Sequence, residues 1–290
     1  MVNIPSELKQ EYPFSSHFSA VENHKLHYID EGRGEVILMV HGNPTWSFFY
    51  RNLAKHFSKN FRVVVPDHLG CGLSDKPQNY EYTLKNHIDN LDKLVQELKL
   101  SNITLILHDW GGAIGMGLAT RYPHLIKKIV VMNTAAFTSD EIPTRINILR
   151  NPLGEWFIRS FNGFAGPATY MASKRGLSPI IKKGFILPYK NFESRIATAK
   201  FVRDIPLTKE HPTYSTLIDI ENKLNLIKAP LLVLWGEKDF CFTLNFHKRW
   251  LEIFPDAKSV TFPEAGHYLV EDELDGVIKE ISTFLSESES

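Results

Sequence analysis

Several features are scarce or lacking in this chain of 290 residues. Cysteine occurs twice, as Cys71 and Cys241, which is too few for a disulfide framework and fits a reducing, cytoplasmic compartment. No apolar run approaches the ~20 residues that a membrane-spanning helix needs. Met1 to Tyr12 carry Glu7, Lys9 and Glu11 where a signal peptide would be apolar. A charge excess is also lacking: Lys plus Arg and Asp plus Glu both count 33. The whole-chain balance therefore gives no support to nucleic-acid or anionic-membrane binding. No compact set of metal-ligating residues is visible, and Gly70-Cys71-Gly72-Leu73-Ser74 is too weak a match for a phosphate or dinucleotide loop. No metal or cofactor is expected.

What is present is 43% hydrophobic and 23% charged, the composition of a globular enzyme. Short apolar runs alternate with segments of helical period, which predicts a mainly parallel sheet covered by helices. Strands are expected at Leu26–Ile29, Val36–Val40, Arg62–Val65, Ile103–Leu107, Ile129–Asn133, Leu231–Trp235 and Ser259–Phe262. Helices are expected at Trp46–Phe57, Leu84–Leu98, Gly112–Tyr122, Leu244–Ile253 and Gly276–Leu285. The first two strands are read as an antiparallel edge joined by the turn from Asp30 to Gly34. The polar tail Ser286–Ser290 is expected to fray.

The alternation stops between Phe137 and about Asn225, where seven prolines and many aromatics accompany mostly basic charges. This stretch reads as an inserted helical cap. The chain then divides into a core of residues 1–136 and 226–290 and a cap of 137–225. Most cap aromatics are expected to form a small core of their own, and a minority to line a pocket over the sheet edge. The aromatic-rich cap offers a candidate interface for a homo-oligomer.

The most informative run is Ile103-Thr104-Leu105-Ile106-Leu107-His108-Asp109-Trp110-Gly111-Gly112. An apolar strand ends at a sharp turn and a helix opens on two glycines, the layout of a nucleophile elbow. Such corners usually carry serine; here the residue is Asp109. A carboxylate attacking a saturated carbon yields an ester that can later be broken, so the residue type predicts alkyl rather than acyl chemistry. His267, in Glu264-Ala265-Gly266-His267-Tyr268 after the last strand, is the candidate base. Asp239, at the carboxyl end of Leu231–Trp235, is the candidate acid that orients it. Asn43 and Trp110 supply backbone N–H groups for an oxyanion, and an amide and an indole N–H for a departing anion. His41, His108 and Asp67 read as structural neighbours.

His41-Gly42-Asn43-Pro44-Thr45-Trp46, His108-Asp109-Trp110-Gly111-Gly112 and Ala265-Gly266-His267-Tyr268 together resemble the haloalkane dehalogenases of the α/β-hydrolase superfamily. The resemblance spans about Phe18 to Leu285 and implies an α/β-hydrolase fold: a mostly parallel central sheet, helices on both faces and an inserted helical cap. It also implies Asp109 as nucleophile, His267 as base, and Asn43 with Trp110 as the halide-holding pair. One subfamily carries a glutamate acid where Asn133 and Thr134 stand here, so Asp239 takes that role, as in the third subfamily. Asn133-Thr134-Ala135-Ala136-Phe137, Asn162-Gly163-Phe164-Ala165, Phe201-Val202-Arg203-Asp204-Ile205-Pro206 and Asp239-Phe240-Cys241-Phe242 are similar to members that decarboxylate β-lactones in olefin synthesis. The expected activity is hydrolysis of a carbon–halogen bond through a covalent alkyl ester. The alternatives are β-lactone decarboxylation and epoxide hydrolysis, the latter with Tyr170 or Tyr189 as acid. The expected partner is a small apolar halogenated or lactone substrate.

Overall fold

The structure, a computed structural model, describes residues 3–287. Eight strands form one sheet: β1 (His17–Val21), β2 (His24–Glu31), β3 (Val36–Val40), β4 (Arg62–Pro66), β5 (Ile103–Asp109), β6 (Ile126–Thr134), β7 (Leu231–Gly236) and β8 (Lys258–Phe262). Their order is β1-β2-β4-β3-β5-β6-β7-β8. Only β1/β2 and β2/β4 pair antiparallel; every other neighbouring pair is parallel.

The sequence pattern explains why the sheet is covered on both faces. Along β3, every residue is buried, and successive side chains enter different cores. Leu38 and Val40 join Leu105, Leu107, Val131 and Val233 on one face. Ile37 and Met39 join Ile106, Val130, Met132 and Leu234 on the other. Strands apolar at consecutive positions need cover above and below, as parallel sheets have. The first face is covered by α2 (Leu84–Glu97) and α3 (Trp110–Arg121), the second by α1 (Arg51–Phe57).

Between β6 and β7 the chain runs through α4 (Thr144–Asn147), α5 (Pro152–Phe161), α6 (Ala165–Met171), α7 (Pro179–Ile186), α8 (Ile196–Arg203) and α9 (Tyr214–Lys223). The last of these turns back to the sheet layer, where Leu217 and Ile220 enter the core that also holds Ile114 of α3. After β7 come α10 (Leu244–Ile253), α11 (Leu269–Asp272) and α12 (Leu274–Ser286). Ser286 thus closes a helix, and residues 288–290 of the tail expected to fray lie outside the described residues.

The expected hairpin between β2 and β3 is not formed. β4 lies between them, with Ile29 opposite Val65 and Ile37 opposite Val63. The turn from Asp30 to Gly34 instead crosses the entrance to β4. At Gly32, φ is +79°, and an added Cβ would lie 2.2 Å from the Phe61 carbonyl oxygen, so this turn is wedged against Ser58 and Phe61. The true antiparallel partner at the edge is β1, joined to β2 by the tight turn Glu22-Asn23 with Glu22 at φ +51°.

Candidate active site

Asp109 stands at the point where β5 becomes α3, with φ +53° and ψ −129°. A non-glycine residue held there is strained, and such strain persists only where the surroundings impose it. Here two glycines allow the crowding. An added Cβ on Gly111 would meet the Val40 carbonyl oxygen at 1.9 Å, and one on Gly42 would meet Asp109 Oδ1 at 1.9 Å. Asp109 occupies the N-cap position of α3 yet makes no capping side-chain bond. Its Oδ1 accepts from the Asn43 backbone N–H at 2.5 Å instead, and the Thr134 hydroxyl donates to its carbonyl oxygen. Burial pushes the Asp109 pKa up, while His267 and the backbone N–H groups of Trp110 and Asn43 oppose that rise.

Asp109, His267 and Asp239 converge. His267 Nε2 lies 3.6 Å from Asp109 Oδ2, and His267 Nδ1 lies 2.8 Å from Asp239 Oδ2. All three are buried. Burial alone would lower the His267 pKa, but the paired Asp239 carboxylate and the nearby Asp109 outweigh it and hold it above the ordinary histidine value. The His108 ring pairs with the His267 carbonyl oxygen at 2.8 Å, and the Phe242 ring stacks on the imidazole with centroids 5.8 Å apart. His41 and Asp67 hold loops: His41 Nε2 accepts from the His68 N–H, and Asp67 accepts from the N–H groups of Ser47 and Leu73.

Two supports were not anticipated from the sequence. Asn133 clamps the end of β7, donating to the Gly236 carbonyl at 3.1 Å and accepting from its N–H at 2.8 Å; this fixes the start of the Asp239 turn. Asp272 accepts from the Gly266 N–H at 2.8 Å, the Ser173 hydroxyl at 2.6 Å and the Lys174 N–H, tying the His267 loop to the inserted helices. The acidic pair Glu271-Asp272 just after His267 was the only sequence hint.

Asn43 and Trp110 face the same space. Asn43 Nδ2 gives one proton to the Thr198 carbonyl at 3.1 Å and keeps the other, whereas its Oδ1 is buried without a partner. The Trp110 indole N–H has no acceptor among the described residues, and its ring packs on Phe201. Two apolar cavities open from here. One, of about 230 Å³, is walled by Leu149, Phe164, Met171, Val202 and Tyr268. The other, of about 140 Å³, is walled by Leu84, Ala113, Ala135, Phe137 and Phe246. Asp109, Trp110, Ile205 and Cys241 border both. Neither tyrosine expected to serve an epoxide hydrolase lines either cavity: Tyr170 is 71% exposed, and the Tyr189 hydroxyl donates to the Thr45 carbonyl. Tyr170 lies under Lys182, and Tyr189 is buried with its backbone N–H donating to the Ile186 carbonyl.

A strained acidic elbow, a histidine paired to a second carboxylate and a mostly parallel sheet agree with one family model, that of the alpha/beta hydrolase fold, which matches residues 35–274. The chain belongs to the α/β-hydrolase family. Within it, the chain is 45% identical over 287 residues to a cis-3-alkyl-4-alkyloxetan-2-one decarboxylase of Shewanella oneidensis, covering 96% of this chain and 90% of that protein. It is 30% identical over 285 residues to haloalkane dehalogenase 2 of Mycobacterium bovis, covering 92% and 94%. The crystal structure of haloalkane dehalogenase DbeA from Bradyrhizobium elkani superposes with a TM-score of 0.87 at 25% identity, over 94% of this chain and 98% of that one. This α/β-hydrolase therefore sits in the branch that joins haloalkane dehalogenases with β-lactone decarboxylases.

Proposed function

We propose that this enzyme converts a β-lactone bearing two alkyl chains on neighbouring ring carbons into an alkene and carbon dioxide. The observation that carries the reading is the pair of apolar cavities that part on either side of Asp109 and Trp110, one for each chain. Each buried methylene contributes about 0.8 kcal/mol, so the chains supply the binding and the few polar groups supply the orientation. The name of the 45%-identical relative supports the same substrate class.

In this scheme residues 137–225 act as the cap and Asp109 is the nucleophile. One Asp109 oxygen attacks the alkyl carbon that bears the ring oxygen, and that C–O bond breaks with its electrons passing to the ring carboxyl group. The product is an ester on Asp109 with a free carboxylate on the adjacent carbon. The N–H groups of Asn43 and Trp110 receive that carboxylate as it forms. The bond between the carboxylate carbon and its neighbour then supplies the electrons of the new double bond. The ester C–O bond breaks, carbon dioxide leaves, and Asp109 returns as a carboxylate. No water is consumed. His267, held by Asp239, keeps the Asp109 carboxylate ionised and in place. Inversion in the first step and anti departure in the second preserve a cis relationship between the chains. The unpaired cysteines suit a cytoplasmic setting.

Haloalkane hydrolysis is the second reading, favoured by the two neutral donors, which also suit a halide, and by the dehalogenase relatives. There His267 activates water to hydrolyse the ester. Product analysis separates the two. A cis-dialkyl β-lactone should give alkene, and a bromoalkane should give little alcohol and halide. Rapid release of halide with no alkene from the lactone would reverse the assignment.

A further inference from the structure

The balanced charge of the whole chain conceals a division. Residues 144–203 hold eleven Lys and Arg against two acidic residues, Glu155 and Glu193, a net of +9. With 33 of each sign in the full sequence, the remainder carries −9. The same segment carries an apolar surface. On α5, Leu153, Trp156, Phe157 and Phe161 recur at helical spacing and are 79%, 55%, 44% and 65% exposed. Trp156 and Phe157 both touch the Phe161 ring, so the face is continuous. The other side of the helix, at Gly154 and Ile158, is already buried. Solvent is a poor partner for a face of this kind.

We propose that α5 and the basic residues around it dock this enzyme on an anionic lipid bilayer. Leucine, tryptophan and phenylalanine backed by lysine and arginine are the residues that lie at a headgroup boundary, and an excess of positive charge draws such a surface to acidic lipid. Lys182, seated over Tyr170 at 3.6 Å, and Lys190 have no carboxylate partner among the described residues. Of the eleven cations only Arg175 and Lys183 pair, among the described residues, with carboxylates outside the segment, Glu273 and Glu7. Pairing two copies through it would therefore bring like charge against like charge, which disfavours a second copy as the occupant. Leu149 and Phe164, which flank α5 in sequence, line the larger cavity, so docking brings a wall of that cavity to the lipid. A substrate with two alkyl chains dissolves in that phase. The docking itself does not depend on that reading, because vesicles without substrate test it.

Trp156 is the one exposed tryptophan of five, and it reports directly on its surroundings. The full-length protein is mixed with vesicles of equimolar phosphatidylglycerol and phosphatidylcholine, and separately with pure phosphatidylcholine. Co-sedimentation with the mixed vesicles and a blue shift of Trp156 emission are expected. Binding should fall at least tenfold in pure phosphatidylcholine or at high salt. A Leu153→Ser, Phe161→Ser variant should lose the shift and bind at least tenfold more weakly, and so should Lys182→Glu with Lys190→Glu. Both variants should turn over a short-chain, water-soluble lactone at the unaltered rate. Absence of vesicle binding would overturn the proposal, as would equal binding by these variants. Self-association abolished by the serine changes, with no vesicle binding, would also overturn it and assign the face to a second copy.

Discussion

Trp110 serves two purposes at once: its backbone N–H favours ionised Asp109, and its indole N–H is left without an acceptor. Replacing it with Phe keeps the ring that packs on Phe201 and removes only the side-chain donor. We expect kcat to fall by about 10²- to 10³-fold with the thermal midpoint nearly unchanged. Unchanged kcat would show that the leaving carboxylate is held elsewhere. The two readings of the chemistry also differ in pH dependence. Alkene formation needs Asp109 ionised, and burial raises that pKa from the ordinary carboxylate value. The kcat profile should therefore show one acid limb, lying above the usual carboxylate range, and then a plateau. A second rise through the elevated His267 pKa would signal base catalysis and an ester hydrolysed by water. The residues that converge here were legible because each sits in a short motif at a strand end, where a few neighbours define the role. Asn133 was not, since its partner lies 103 positions away; for Asp272 the local bond to Gly266 does not reveal that it also reaches Lys174, 98 positions away.

At the level of elements, the Asp204 side chain joins α8 to α2. It accepts from the Leu84 N–H at 2.7 Å and from the Thr213 hydroxyl at 2.6 Å, so it satisfies one of the free donors at the start of α2. Burial raises its pKa to about 7. A carboxyl group shifted upward on folding adds stability that is complete below the unfolded value and is lost as pH rises through about 7. Asp204→Asn should retain most of the stability and flatten this dependence. Asp204→Ala should cost about 1–3 kcal/mol by stranding a buried donor. Denaturant unfolding at acid and neutral pH measures both effects; equal stability for the alanine variant would refute the tie. The β-edge shows what a sequence conveys poorly. Each strand was visible as an apolar run except β1, but strand order depends on which run lies between which. Consecutive burial of Val36–Val40 marked a central strand and argued against pairing it at the edge.

At the scale of the whole molecule, the sheet, the helices of one face and the inserted segment come together around Asp109, and both cavities border that residue. Their shape could not be read from composition, because their walls come from segments as distant as Leu84 and Phe246. Filling the smaller cavity alone tests whether it holds a chain. Ala135→Phe should raise KM at least tenfold for a lactone with two long chains, with little effect when one chain is only a methyl group. Equal loss on both would mean that the change disturbed the elbow. The central claim is that Asp109 forms and releases its ester without water. Repeated turnover of a cis-dialkyl β-lactone in ¹⁸O-water, followed by mass analysis of the peptide containing Asp109, tests it directly. The account predicts cis-alkene in step with lactone consumed and an Asp109 peptide free of heavy oxygen. A β-hydroxy acid product together with ¹⁸O in Asp109 would contradict it.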